Sequence, residues 1–314
     1  MGTRGMSHVQ RVRRVRGAKR LTMYAPSSLH CYAVTTAVAT FFLLLAGSLV
    51  TSTDSGLAVP DWPLSYGMWF PPMVGGIFYE HGHRMIAAIV GMLIAALAIW
   101  LWRSEPRRWV RIIGYTAVTA VVVQACLGGA TVLLLLPPAV SIAHACLGQT
   151  VFCLVVCLAW ATSSAWSVRP VRIEAQGASS SPLWATTIAV VAALQLMFGA
   201  IIRHTGGGLR WHLGGAIILM GVAGWFVWHL AQRRGHCPTL WPHALRLLGV
   251  LSGQLLLGLA VFMHRNRIGL STGHVALGAL VLAQAIVLAW ETYRVVAIGP
   301  THAIPYAVSV GVRE

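Results

Sequence analysis

Eight runs of about 20 apolar residues, each the length a helix needs to cross a bilayer, constrain this chain before anything else does. They lie at roughly 29–50, 83–102, 112–136, 140–161, 183–202, 211–231, 244–263 and 270–290. Lipid offers no partner to an unpaired backbone group, so runs of this length must be helical. The fold class read from them is an all-α membrane protein with eight transmembrane helices. With 57% hydrophobic and 10% charged residues among 314, the chain lies outside the range of soluble globular proteins.

Lys and Arg number 23 against 7 acids, an excess that in a soluble protein would suggest nucleic acid. Their placement points elsewhere. If the spans alternate in direction, 18 of the 23 fall on one side: the tail up to Arg20, the turns at Arg103 to Arg111, Arg169 to Arg172 and Arg233 to Arg246, and the C-terminus. Arg84, Arg203, Arg210, Arg265 and Arg267 fall on the other. Positive charge concentrates on the cytoplasmic side of membrane proteins, so both termini are expected in the cytoplasm and the chain in the cell (inner) membrane, in contact with membrane lipid. The tail arginines suit anionic lipid, and no nucleic-acid partner is expected. Trp100, Trp102, Trp109, Trp160, Trp166, Trp228 and Trp290 fall near the inner ends as interfacial anchors. The run after Ser28 is of full spanning length without a clear cleavage site, and is read as a retained first helix. The six cysteines form no C-x-x-C pair, and buried structural thiols are expected.

The chain is internally duplicated. "QACLGGATVLLLLPPAVSIAHACLG" (124–148) aligns without a gap on "QLLLGLAVFMHRNRIGLSTGHVALG" (254–278), matching Gln124 to Gln254, Gly128 to Gly258, His144 to His274 and Gly148 to Gly278. "AGSLVTSTDSGL" (46–57) lies over "FGAIIRHTGGGL" (198–209), matching Gly47 to Gly199, and with a longer loop in the first half the alignment carries His83 onto His212. Two pseudo-symmetric four-helix bundles are expected. The division is a basic tail 1–28, an N-terminal bundle 29–162 with a long outer loop 51–82, a linker 163–182, a C-terminal bundle 183–292 and a tail 293–314. The outer loop, rich in Pro, Gly and aromatics, is expected to pack as a lid around Trp62, Trp69 and Phe70.

Alternating directions bring four histidines to one level near the outer face. His83 and His212 open their helices, and His144 and His274 lie about one turn inside theirs. One pair per half, facing across a bundle, is the arrangement that bis-imidazole haem ligation requires. One turn after each comes a small residue, Ala87, Gly148, Ala216 and Gly278, on the same helix face. There it gives a porphyrin room or simply lets helices pack closely. Glu80, His83 and Arg84 share a face, with His81 pointing away. The second half has Leu209 and Leu213 in place of Glu80 and Arg84. One half thus carries an acid beside its ligand and the other does not, which suits a substrate porphyrin in the first and a cofactor in the second. Glu80 is the candidate acid/base; a plain i,i+4 ion pair with Arg84 is the competing reading. Arg203, Arg210, Arg265 and Arg267 are candidate partners for haem propionates.

"TSTDSGLAVPDWPLSYG", "EHGHR" and the single histidines of the fourth, sixth and eighth runs resemble the heme A synthase family, from about Phe41 to Trp290. The resemblance implies an enzyme that oxidises a methyl group of heme O to a formyl group by successive hydroxylations. His83 and His144 would bind the substrate heme O, with Glu80 and Arg84 catalytic, and His212 and His274 would bind a heme b cofactor through which electrons leave. It further implies a heme O synthase and cytochrome c oxidase assembly as partners, and leaves room for a homo-oligomer. Many members of the family carry a cysteine pair in the first outer loop; residues 51–82 contain none, so no thiol-linked step is carried over. The alternative is a di-haem b electron-transfer cytochrome that leaves its haems unmodified. A transporter built from repeats would place charges at mid-membrane, whereas here they cluster at the rim.

Overall fold

The computed structural model describes residues 27–167, 181–232, 238–264 and 267–296. Eight long apolar helices are present: α1 (Ser28–Ser52), α2 (Gly76–Ser104), α3 (Arg108–Leu133), α4 (Pro138–Ala161), α6 (Ser181–Thr205), α7 (Leu209–Ala231), α8 (Trp241–Met263) and α9 (Ile268–Val295). A one-turn helix, α5 (Ser164–Ser167), follows α4. No strand occurs among the described residues; one isolated bridge joins Ser65 to Met68 in the outer loop. The chain is thus an all-helical, multi-pass membrane protein.

The helix ends have local causes. Ser27 caps α1, its hydroxyl accepting from the His30 N–H at 3.2 Å. Pro138 starts α4, where a missing N–H costs nothing. The third run was expected to continue to 136, but α3 stops at Leu133. Leu135 and Leu136 take left-handed backbone (φ 59 and 60), which ends the helix ahead of Pro137. The larger departure is at α2, which begins at Gly76 rather than near 83. The outer loop between the helix caps therefore shortens to 53–75, and Glu80 and His83 sit within the helix instead of at its mouth. An apolar window cannot register this turn, because "YEHGHR" is polar while its backbone is helical.

Within the first half α1 neighbours α2 and α4, and α3 lies between α2 and α4; in the second half α6 neighbours α7 and α9, and α8 lies between α7 and α9. The halves meet through α1, α4, α6 and α9. The repeat-equivalent helices α4 and α9 are the most buried, at about half of their spanning residues. Lipid provides no hydrophobic drive for helices to associate, so close packing of small side chains does this work. Ala276, Ala279, Ala283, Ala285 and Ala289 supply it along α9. At the end of the helices away from the histidines Trp109, Trp166 and Trp290 cluster with centroids 5.4–5.5 Å apart. Glu291 there accepts from Trp160 Nε1 at 2.8 Å and pairs with Arg294 at 2.6 Å.

Among the cysteines, Cys153 and Cys157 are buried as expected, Cys146 is half-buried, and Cys31 and Cys126 are exposed. An apolar thiol is at home on a lipid-facing surface as well as in a core. Cys237 lies outside the described residues, as do the basic N-terminal tail, most of the linker and the C-terminal tail.

Candidate functional site

The four histidines are carried by α2 (His83), α4 (His144), α7 (His212) and α9 (His274), each about one to two turns from the outer end of its helix. Every one of their rings rests against a glycine of an adjacent helix. A Cβ added to Gly47, Gly128, Gly199 or Gly258 would lie 3.0, 3.1, 3.3 or 2.9 Å from Cε1 of His83, His144, His212 or His274 respectively. These are distances at which the ring must move. The duplication had matched Gly47 with Gly199 and Gly128 with Gly258; that each seats an imidazole becomes visible only in three dimensions. Gly258→Ala is expected to push the His274 ring aside and, where that ring ligates a haem, to cut haem retention roughly tenfold, a loss typical of disturbing a ligand's support. The haem-to-protein ratio, with helicity as the folding control, checks this.

Three glutamines complete the setting, of which the sequence singled out only Gln124 and Gln254, as repeat matches. Gln124 Nε2 donates to the His144 carbonyl at 2.9 Å, and Gln195 Nε2 donates to the His212 carbonyl at 2.8 Å. Gln254 Nε2 lies 3.3 Å from His274 Nε2. His212 Nδ1 in turn lies 3.2 Å from the Gln195 carbonyl. This changes the role of two small residues. Gly148 and Gly278 were expected to make room for a porphyrin, but a Cβ there would lie 3.0 Å from Gln124 Nε2 and 3.2 Å from Gln254 Nε2. The space they leave is taken by the amides.

The His212 and His274 ring centroids are 6.2 Å apart. Two imidazoles on opposite sides of one metal, bound at about 2.0–2.1 Å, would have centroids about 6 Å apart, so this pair has the spacing of axial ligands. The Nδ1 atoms of His83, His144 and His274 are buried without a hydrogen-bond partner. Buried polar atoms are rarely left so, and polar atoms left over beside seated rings fit a site built to receive a further group. The donor set, imidazoles without a third ligating side chain, suits haem iron.

Glu80 is 3% exposed. Its Oε1 pairs with Arg84 at 2.5 Å, and its Oε2 accepts from the Val59 N–H at 2.8 Å. Arg84 also donates to the carbonyls of Asp61 and Leu64, each at 2.7 Å, and to that of Val59 at 3.3 Å. The pair therefore lashes the outer loop to α2 while holding a carboxylate one turn from His83. His81, on another face of α2, is also covered by the loop: its Nδ1 lies 2.7 Å from Ser65 Oγ and the ring is buried.

That loop packs only in part. Val59 and Ser65 are fully buried, and Trp62 lies against Gly129, where a Cβ would come within 2.7 Å of its Cδ2. Trp69 and Phe70, expected in the packed lid, are 74% and 80% exposed; side chains at this height can meet the membrane interface, where aromatic rings are stable. The turn between is closed by Asp61, whose carboxylate accepts from the N–H groups of Gly67 (2.8 Å) and Tyr66 (2.6 Å). The Gly67 bond, aided by that of Tyr66, holds the Asp61 carboxyl below its ordinary range. A depressed carboxyl stabilises the fold above its unfolded pKa, about 3.9, and the contribution disappears as pH falls through the lower folded value. Cleavage of residues 53–75 by an acid-active protease is therefore expected to rise only below about pH 4, and Asp61→Asn to expose the turn at higher pH.

Of the outer arginines, Arg203 reaches across to α1, donating to the Ser48 carbonyl at 2.8 Å and to Ser52 Oγ at 2.6 Å. Arg210 stacks on Trp211 at 5.0 Å, Arg267 precedes α9, and Arg265 lies outside the described residues. A lipid-side groove of about 360 Å³ between α4, α6 and α9, lined by Thr150, Cys153 and Ile286 among others, lies away from all four rings.

The fold and site define the class: an eight-span membrane protein with two pairs of histidines, each ring resting on a glycine of an adjacent helix. A family model described as "Cytochrome oxidase assembly protein" matches residues 73–212. The chain is 36% identical to a heme A synthase of Bacillus licheniformis over 101 residues, covering 32% of this chain and 33% of that protein. It is 35% identical to one of Lysinibacillus sphaericus over 108 residues (33% and 35%), and 30% identical to one of Symbiobacterium thermophilum over 172 residues (52% and 55%). The alignments thus span about a third of the first two relatives and about half of the last. Over these stretches the chain is similar to heme A synthases.

Proposed function

We propose that the protein is a membrane oxidoreductase of heme A biosynthesis, oxidising a methyl group of heme O to a formyl group by successive hydroxylations. The observation that carries this reading is the asymmetry between otherwise matched halves. Four rings sit on two repeat-matched pairs of glycines, but among the described residues a buried carboxylate accompanies His83 alone, with Leu209 in its place beside His212. A carrier using both halves alike has no use for that difference.

In this reading His83 and His144 hold the substrate heme O, and His212 and His274 hold a resident heme b. When bound, heme b supplies one-electron redox capacity. The chain's own groups do the rest. Glu80 Oε1 and Oε2 present a proton acceptor one turn from His83, fixed in place by Arg84 and the Val59 amide. Arg84 acts through Glu80 and the loop, to which its remaining contacts are committed. The buried part of the loop, around Val59 and Ser65, excludes water from that end of the site. The haem level is read as lying near the outer face of the cell membrane with both termini cytoplasmic. A heme O synthase would supply the substrate and cytochrome c oxidase assembly would take the product, in keeping with the matched family's description.

Expression in membranes that make heme O but lack heme A tests the proposal. Formyl haem is expected in the extracted pigments when this chain is present. Unchanged heme O beside two protohaems bound per chain would instead favour the di-haem b cytochrome, which the equivalence of the four glycine seats also fits.

A further inference from the structure

Three of the four seating glycines are preceded, one turn earlier on the same helix, by a glutamine: Gln124 before Gly128, Gln195 before Gly199 and Gln254 before Gly258. Positions i and i+4 share a face, so each glutamine reaches the histidine that its glycine seats: Gln124 and Gln195 donate to the backbone carbonyls of His144 and His212 at 2.9 and 2.8 Å, and Gln124 Nε2 and Gln254 Nε2 lie 3.4 and 3.3 Å from Nε2 of the His144 and His274 rings. The fourth position breaks the rule. The residue one turn before Gly47, and the repeat counterpart of Gln195, is Leu43, which packs among apolar side chains near Val90 and Ile94. His83 consequently has no glutamine beside it, although its Nδ1 is buried without a partner just as those of His144 and His274 are.

We infer that Gln124, Gln195 and Gln254 are positioning residues that fix His144, His212 and His274 for lasting ligation, and that unbraced His83 is the displaceable ligand of the pair. The inference rests on the reading of the N-terminal half as the substrate half, and it gives that half what a substrate site needs. A resident cofactor is best held by two fixed imidazoles, as at His212 and His274. A porphyrin that must enter and leave needs one fixed ligand and one that lets go. Partners beyond the first coordination sphere set a histidine's ring orientation and basicity, and their loss typically weakens metal binding about 10–100-fold. The absence of a brace at one ligand of four should therefore be measurable as faster exchange at that site.

The test uses the purified full chain with its co-purified pigments, the variants Leu43→Gln, Gln195→Leu and Gln254→Leu, and apomyoglobin in excess as a haem acceptor. Wild-type protein is expected to release pigment in two phases. Leu43→Gln should slow the fast phase about tenfold, and Gln195→Leu and Gln254→Leu should speed the slow phase by a similar factor. The latter two should also shift the low-spin ferric electron paramagnetic resonance signal, which reports ring orientation and would not move if the glutamines merely aided folding. After reduction, carbon monoxide should bind one haem in the wild type and markedly less in Leu43→Gln. If Leu43→Gln fails to fold, the release rates and spectra of the other two variants still decide. A single release rate for both pigments, or glutamine variants with unchanged release and spectra, would overturn the inference. Mass analysis of each phase separates it from the functional reading. A farnesylated fast-phase pigment supports both, whereas protohaem in both phases with the rate contrast intact supports the bracing and removes the substrate assignment.

Discussion

His274→Ala protein is expected to purify without heme b while retaining pigment in the other half, and His83→Ala to keep heme b and lose heme O. The expectation follows from the separate settings of the two pairs. His274 faces His212 with centroids 6.2 Å apart and is seated by Gly258 of α8; His83 is seated by Gly47 of α1. Removing one imidazole deprives its own pair of an axial ligand and leaves the other pair's glycines and glutamines untouched. The loss at the affected site should exceed the roughly 10–100-fold that disturbing a ligand's support produces, so the pigment should be nearly absent after purification. Extraction and mass analysis of the two variants, with helicity as the control, provides the measurement. If both variants lose the same pigment, the division between the halves is wrong.

Glu80→Gln should keep both pigments and lose conversion by about 10²–10⁴-fold, the range associated with a positioned acid or base. Glutamine preserves the shape and can still accept the Val59 N–H, but it cannot take a proton. The substitution also removes the charge partner of Arg84. Breaking a buried pair costs about 3–5 kcal/mol where the survivor is left uncompensated, but Arg84 retains its contacts to the carbonyls of Asp61, Leu64 and Val59, so the structural penalty should be smaller. Protease resistance of the outer loop separates the two effects. Lost conversion with a loop as resistant as wild type assigns the loss to proton transfer. A loop that becomes labile assigns it to the lashing role of the pair.

The spans, the duplication and the four histidines were legible in the sequence because each depends on local pattern: apolar length, aligned identities, and a titratable group where lipid makes one expensive. What escaped was what depends on neighbouring helices. Gly128 and Gly258 were visible as matched glycines, but nothing along the chain says that a ring from the next helix lies against them. Gly148 and Gly278 were assigned to a porphyrin because they sit one turn from a histidine on the same face, whereas the space is taken by glutamines from α3 and α8. The start of α2 was misplaced for a related reason. "YEHGHR" is too polar for a hydropathy window, and its polarity is tolerated in the helix because Glu80, His81 and Arg84 find partners in the loop. The exposure of Trp69 and Phe70 reflects the same limit: aromatic content signals a need for an apolar neighbour, which lipid can meet as well as protein can.

The account stands on four imidazoles acting as two pairs of haem ligands, and an experimental density map of the pigment-loaded protein tests that most directly. The prediction is two tetrapyrroles at similar depth, one between His83 and His144 with Glu80 at its edge, the other between His212 and His274. A map with pigment bound elsewhere, such as the lipid-side groove between α4, α6 and α9, or with any of the four rings turned out to lipid in the loaded state, would contradict it.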